Sequence, residues 1–194
     1  MNRTIEDLNL KLHILDQISD KIGRKLENNA YYDVGGEDEL TTNNKGIDII
    51  AHQLELVFEN CRPIFISWST ISNWMQYSLC ISEKSFCGDV EQFTKKDKNW
   101  ESVIGCRLVD FKVFGFKEHT VTSTSPSEIK RETYLDEPHL LVLEFDNKRV
   151  LGIANFYMEN DFIPRLPIGD DIWIAFEKSD IDEFIDHLNL DKLN

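Results

Sequence analysis

Apolar residues at Ile5, Leu8, Leu12, Leu15, Ile18, Ile22 and Leu26 recur at steps of three and four, which predicts an amphipathic helix of about six turns over residues 1–28. Thr4 is its expected N-cap, with Asp7 at the third helical position; Asn28–Asn29 and Gly35–Gly36 supply the stop. Residues 30–46 turn to Tyr, Asp, Gly, Glu, Thr and Asn, a composition that buries little and reads as an exposed connection.

From residue 46 the period changes to two. His52, Leu54, Leu56 and Phe58 fall on one face, Asn60–Pro63 makes a turn, and Ile64, Ile66 and Trp68 return on the same alternation, so a hairpin is expected. Further strands are expected at 76–82, 108–118, 139–145, 150–157 and 172–176. The polar stretch 88–101 with Lys95–Lys96–Asp97–Lys98 reads as a loop or short surface helix, and Ser/Thr-rich 120–127 with Pro126 reads as a loop. Ser179 is the expected N-cap of a closing helix over 179–190, with Ile181, Phe184, Ile185 and Leu188 on one side. The sum is one α+β domain, residues 1–194: a long N-terminal helix (1–28), a predominantly antiparallel sheet or sandwich (46–176) and a short C-terminal helix.

Two hairpins echo each other at a spacing of 87 residues: His52-x-Leu54-x-Leu56-x-Phe58-Glu59-Asn60-x-Arg62 and His139-x-Leu141-x-Leu143-x-Phe145-Asp146-Asn147-x-Arg149. Alternation and an acidic-Asn turn explain most of the likeness as generic hairpin chemistry, but not the shared Arg. Duplication and convergence are both open on the sequence.

The formal net charge is −14, with the acidic excess in residues 1–60 and 121–194. That balance repels phosphate backbones and anionic membranes, so neither nucleic acid nor membrane is an expected partner; a solvated surface that keeps the protein soluble is its first reading, and a basic protein partner its second. No run reaches the ~18 apolar residues of a membrane span, and the N-terminus lacks a signal-peptide pattern, so a cytoplasmic location is expected. Cys61, Cys80, Cys87 and Cys106 contain no C-x-x-C pair and read as reduced, mostly buried thiols.

Candidate chemistry is sparse. No nucleophile elbow or phosphate loop is present; Ser127-x-x-Lys130 matches a Ser/Lys spacing without its companion motifs. His119 lies among acids and reads as a surface residue. His52 and His139 hold equivalent places in the echo and could meet across a pseudo-twofold axis, but ordinary hydrogen-bonded histidines explain them as well, and neither metal nor cofactor is expected. Trp68, Trp74, Tyr77 and Trp173 could form a sugar platform, although alternation assigns most of them to the core.

Leu54-x-Leu56-x-Phe58-Glu59-Asn60…Ile64-x-Ile66-Ser67-Trp68, Trp100-x-x-x-Ile104-Gly105, Leu141-x-Leu143-x-Phe145-Asp146-Asn147 and Gly169-Asp170-Asp171-x-Trp173-Ile174-x-Phe176 resemble, over roughly residues 46–176, small bacterial proteins that look like immunity proteins of polymorphic toxin systems. The resemblance implies a cytoplasmic, non-catalytic protein that covers the active site of a cognate toxin. An acidic chain suits a basic, nuclease-like toxin domain, because complementary potentials speed encounter. The expected contacts are the acids beside Gly or Pro punctuation: Glu37, Asp38, Glu39, Glu159, Asp161, Asp170 and Asp171. The competing classes are a small hydrolase-like enzyme with an unrecognised constellation and an adaptor or structural subunit.

Overall fold

In the computed structural model the described residues are 2–6, 10–33, 36–70, 77–88, 90, 92–125, 128–157, 163–165 and 169–194, with 2–6, 38–39, 70, 123–125 and 128 described by backbone alone. In chain order the elements are β1 (Asn2–Glu6), α1 (Leu10–Ser19), β2 (Leu26–Tyr32), a 3-10 turn (Gly36–Glu39), β3 (Thr41–Thr42), β4 (Asp48–Ile50), β5 (Gln53–Phe58), β6 (Ile64–Thr70), β7 (Tyr77–Ser82), β8 (Gln92–Phe93), α2 (Lys98–Glu101), β9 (Leu108–Ser125), β10 (Glu128–Phe145), β11 (Val150–Phe156), β12 (Asp171–Ala175), α3 (Lys178–Leu188) and β13 (Asp191–Lys192). The fold is α+β with mostly antiparallel sheets and a short C-terminal helix.

The strands form two sheets. One has the order β7-β6-β5-β2-β8; the other runs β13-β9-β10-β11-β12-β4-β3, with β1 added parallel to the distal part of β10. Alternation puts Leu54, Leu56, Ile64, Ile66, Leu79 and Ile81 of the first sheet into one core with Val113, Leu141, Leu143, Leu151, Ile153 and Ile174 of the second, so the sheets face each other. Ile14 and Ile18 of α1 and Trp100 of α2 plug that core. On its outer face the second sheet carries Leu140, Val142, Ala154 and Trp173, which α3 covers with Ile181 and Phe184.

The hairpin echo is part of a larger twofold repeat. Gly23 and Gly105 both take φ +83°, a left-handed conformation that glycine adopts without strain. Gly23 N–H donates to the Leu108 carbonyl (2.8 Å) and Gly105 N–H to the Leu26 carbonyl (2.7 Å); Leu26 N–H donates to Cys106 (2.9 Å) and Leu108 N–H to Arg24 (2.9 Å). The residues around them read Ile22-Gly23-Arg24-Lys25-Leu26 and Ile104-Gly105-Cys106-Arg107-Leu108, and Lys25 and Arg107 form the bridge between the halves. Each half then lays down four antiparallel strands, β2-β5-β6-β7 and β9-β10-β11-β12. The hairpin turns match as well, Cys61 N–H to the Phe58 carbonyl (3.0 Å) and Lys148 N–H to the Phe145 carbonyl (2.9 Å). The shared arginines both pair with an acid just past the fourth strand, Arg62 with Glu83 (3.2 Å) and Arg149 with Glu177 (3.3 Å).

Several expectations are corrected. The six-turn helix over 1–28 is instead a strand, the helix Leu10–Ser19 and the start of β2. Hydrogen bonding to other parts of the chain outweighs the local stripe: residues 2–6 gain a ladder with 131–135, and the Gly23 turn commits 26–32 to pairing with β5. Thr4 is therefore a strand residue and does not open a helix. The loop over 30–46 is shortened by β2, which runs to Tyr32, and by β3. Residues 120–125 continue β9 because each pairs with a residue of β10, the start of which was also unforeseen. The N-cap of α3 is Glu177 rather than Ser179, with no side-chain cap bond. Only Cys80 among the four free thiols is buried.

Candidate functional site

The long hairpin β9–β10 carries an irregularity where Gly115 faces Pro138. A Cβ on Gly115 would lie 1.8 Å from the Glu137 carbonyl oxygen, so only glycine lets the strands approach this closely. Asp136 stands at φ +53° beside it, and the register shifts between Pro138 and Leu140. The bulge lies where both faces of β10 are covered, so Glu137, Pro138, His139 and Leu140 are all buried in succession.

A row of polar groups follows from it. His119 Nδ1 lies 3.0 Å from Glu137 Oε2, and His139 Nε2 lies 3.3 Å from Glu137 Oε1. His139 Nδ1 is 3.1 Å from Asn155 Oδ1, and Asn155 Nδ2 donates to the Gly169 carbonyl at 3.2 Å. Since the Asn155 amide gives its protons to Gly169, its oxygen is the acceptor and His139 Nδ1 carries a proton. His139 Nε2 is close to the carboxylate but makes no hydrogen bond, one of three such buried side-chain atoms among the described residues. Phe116 packs on both rings, at centroid distances of 5.0 Å to His119 and 5.5 Å to His139. Glu137 and His139 are fully buried, while His119 reaches the surface at one edge, correcting its reading as a simple surface residue.

The last member of the row, Gly169, introduces Asp170 and Asp171. Both are half-buried rather than exposed as their turn suggested, since Asp171 begins β12 opposite Phe156. Glu37 is exposed at the head of the segment leading into β3, and Asp38 and Glu39 follow it in the 3-10 turn. Strand direction places the start of β3, the end of β4 and the start of β12 at one end of the second sheet, so Glu37 and Asp170–Asp171 share that end. Glu159 and Asp161 lie outside the described residues, as do Trp74 and Ser127.

A second polar cluster was missed by the sequence reading. The fully buried Asp48 carboxylate accepts from Tyr31 Oη (2.7 Å), Thr42 Oγ1 (2.7 Å) and Lys95 Nζ (2.5 Å), and Trp100 Nε1 donates to Tyr31 Oη at 2.7 Å. Burial and the neighbouring Asp48 push the Tyr31 hydroxyl well above its ordinary range. Every charge here has its partner, the arrangement expected of a structural buried pair. The stretch 88–101 is accordingly no plain solvated face: Lys95 is drawn inward and Trp100 is buried.

Beside α3 a cavity of about 470 Å³ opens between Asn43–Lys45 and the helix, with Trp173, Phe184, Glu183 and His187 among its walls; Lys45 pairs with Glu183 at its rim. The α3 segment is strongly acidic, with Glu177, Asp180, Asp182, Glu183 and Asp186 against Lys178. The Asp180 carboxyl is held above its usual range, first by burial and then by Glu183 and Glu177, with Lys45 opposing.

His52 precedes β5 in the first sheet and His139 lies in β10 of the second; the His52 carbonyl accepts from Ser67 Oγ at 2.6 Å. Among the described residues no group of three or more His, Cys, Asp or Glu side chains is disposed to hold a metal ion, and no helix is long and apolar enough to cross a membrane. Burial pushes the Cys80 thiol up to about 12, out of nucleophilic range. No family model, curated protein or solved structure matches the chain.

Proposed function

We propose that the chain is a non-catalytic protein-binding module that meets a basic protein partner through its acidic exterior. The observation that carries this reading is the acidic α3 segment: five carboxylates lie within 177–188, and although Arg149, Lys178 and Lys45 pair with Glu177, Asp182 and Glu183, the balance stays negative, a potential that a cationic surface relieves. Glu37, Asp38, Glu39, Glu159, Asp161, Asp170 and Asp171 are the further contacts in this reading. Its most specific form is an immunity protein of the cytoplasm that covers the active site of a basic toxin domain.

The test is co-expression with the product of the adjacent reading frame. Co-purification of the two proteins and restored growth of cells that otherwise die are expected, with association slowing roughly tenfold or more as salt rises from low to high. A folded chain that neither binds nor protects would overturn the immunity form. Binding unaffected by reversing Asp182, Glu183 and Asp186 together would overturn the assignment of the face.

A second reading, a small hydrolase, draws on the His119–Glu137–His139 row. Two imidazoles sharing one carboxylate resemble the base-and-orienter part of a catalytic site, yet among the described residues no Ser, Thr or Cys is hydrogen-bonded to either ring. The row better fits the buried end of a sheet.

A further inference from the structure

An unpaired strand edge is a template for another strand, and folded proteins normally shorten, cover or charge it. The edges β3, β8 and β13 are two residues long, β1 is five, and β7 packs against α1. The distal part of β9 departs from this practice. β13 meets β9 only at Phe114 and Gly115. Beyond them, among the described residues, the outer side of β9 carries no strand, while its inner side is laddered to β10 in unbroken register from Glu118 to Ser125. That stretch contains no proline, glycine or bulge, and its Thr120, Val121, Thr122 and Thr124 are strong strand formers.

The ribbon formed by β1, distal β9 and distal β10 also differs electrostatically from the rest of the chain. Its Arg3, Lys117, Lys130 and Arg131 are matched by Glu6, Glu118, Glu128 and Glu132, whereas the whole chain carries −14. From Thr120 to Ser125 every residue is uncharged. Two copies that repel each other through most of their surface can therefore approach here, beyond the screening length of the acidic bodies. An antiparallel, twofold pairing centred on Val121 sets Thr120 of one copy opposite Thr122 of the other, a hydroxyl pair that suits adjacent strands, and brings no like charges face to face.

We propose that the open β9 edge pairs antiparallel with the same edge of a second copy, giving a reversible twofold dimer joined mainly by main-chain hydrogen bonds. From Thr120 to Ser125 the edge carries Ser and Thr with Val121 alone apolar, so the joint buries little apolar surface and stays exchangeable. No other protein is needed for it, and it is independent of the binding-module reading.

Sedimentation equilibrium of the full chain up to about 1 mM, the concentration below which even a weak specific contact is populated, reads the outcome directly. The native chain should show a monomer–dimer equilibrium. A variant with Thr120→Lys and Thr122→Lys, and another with Thr120→Glu and Thr122→Glu, should each raise the dissociation constant at least about tenfold, because like charges then face each other across the axis. Mixing the two variants should restore association as a heterodimer. Both positions are exposed, and an unchanged thermal melt shows that each variant still folds. A native chain that stays monomeric throughout overturns the proposal, as does a dimer indifferent to both variants, a mixture that fails to recover, or growth beyond the dimer.

Discussion

The two halves of the molecule share a frame and differ in what is hung on it. Each begins with a helical turn and a glycine at φ +83°, runs through four antiparallel strands and reverses between the second and third with the same turn bond. They part at two places. Between its first and second strands the first half sends residues 33–52 across to add β4 and β3 to the opposite sheet, whereas the second half simply prolongs both strands into the ribbon. After its fourth strand the first half lays Cys87 and Val90 over a small patch around Ala30, Tyr32 and Phe65, while the second lays down α3 over a much larger apolar face. The unusual polar chemistry follows these departures: Asp48 lies on the first half's added strand β4, His119 and Glu137 on the second half's prolonged strands, and the acidic segment on α3. The common frame is apolar packing and backbone bonding.

The comparison can be broken most forcefully at Asp48. Asp48→Ala removes three hydrogen bonds to one buried carboxylate, leaving Lys95 with Asp97 and Tyr31 with Trp100, and should cost about 3–5 kcal/mol in urea denaturation. Gly115→Ala should follow at about 3 kcal/mol, because the new Cβ meets backbone that cannot swing away. Gly23→Ala and Gly105→Ala meet no atoms within 4 Å and should lose only about 1–2 kcal/mol each, through the left-handed backbone alone. If the halves are equivalent at their joint, these two losses agree, and the double variant departs from their sum because the glycines bond to each other's strands. Arg62→Ala and Arg149→Ala should be smallest, each under about 1 kcal/mol, since both pairs are largely solvent-exposed. Clearly unequal losses at the two glycines would show that the likeness of the halves is one of shape and not of energetics.

Period-two alternation made β5, β6, β7, β11 and β12 legible, because each buries one face or both in apolar runs. The same alternation located the repeat through its hairpins, but the glycine-centred joint escaped notice. Ile22-Gly23-Arg24-Lys25-Leu26 and Ile104-Gly105-Cys106-Arg107-Leu108 were the available signal, lying 82 residues apart rather than 87. The N-terminal region misled because three short elements happened to space their apolar residues like one helix. Residues 120–125 misled because Ser and Thr serve turns and strands alike, and only the pairing with β10 decides between them. Glu137 could not be singled out among 35 acids, since its burial comes from packing on both faces of β10, which no local pattern announces.

The Lys25–Arg107 bridge also bears on how the chain is made. Synthesis releases Leu26 long before Cys106 and Leu108, so the first four strands leave the ribosome with the opening backbone groups of β2 unanswered and one side of their sheet bare. The core can close only once the second set emerges, because Val113, Leu141, Leu143 and Ile153 form its other side.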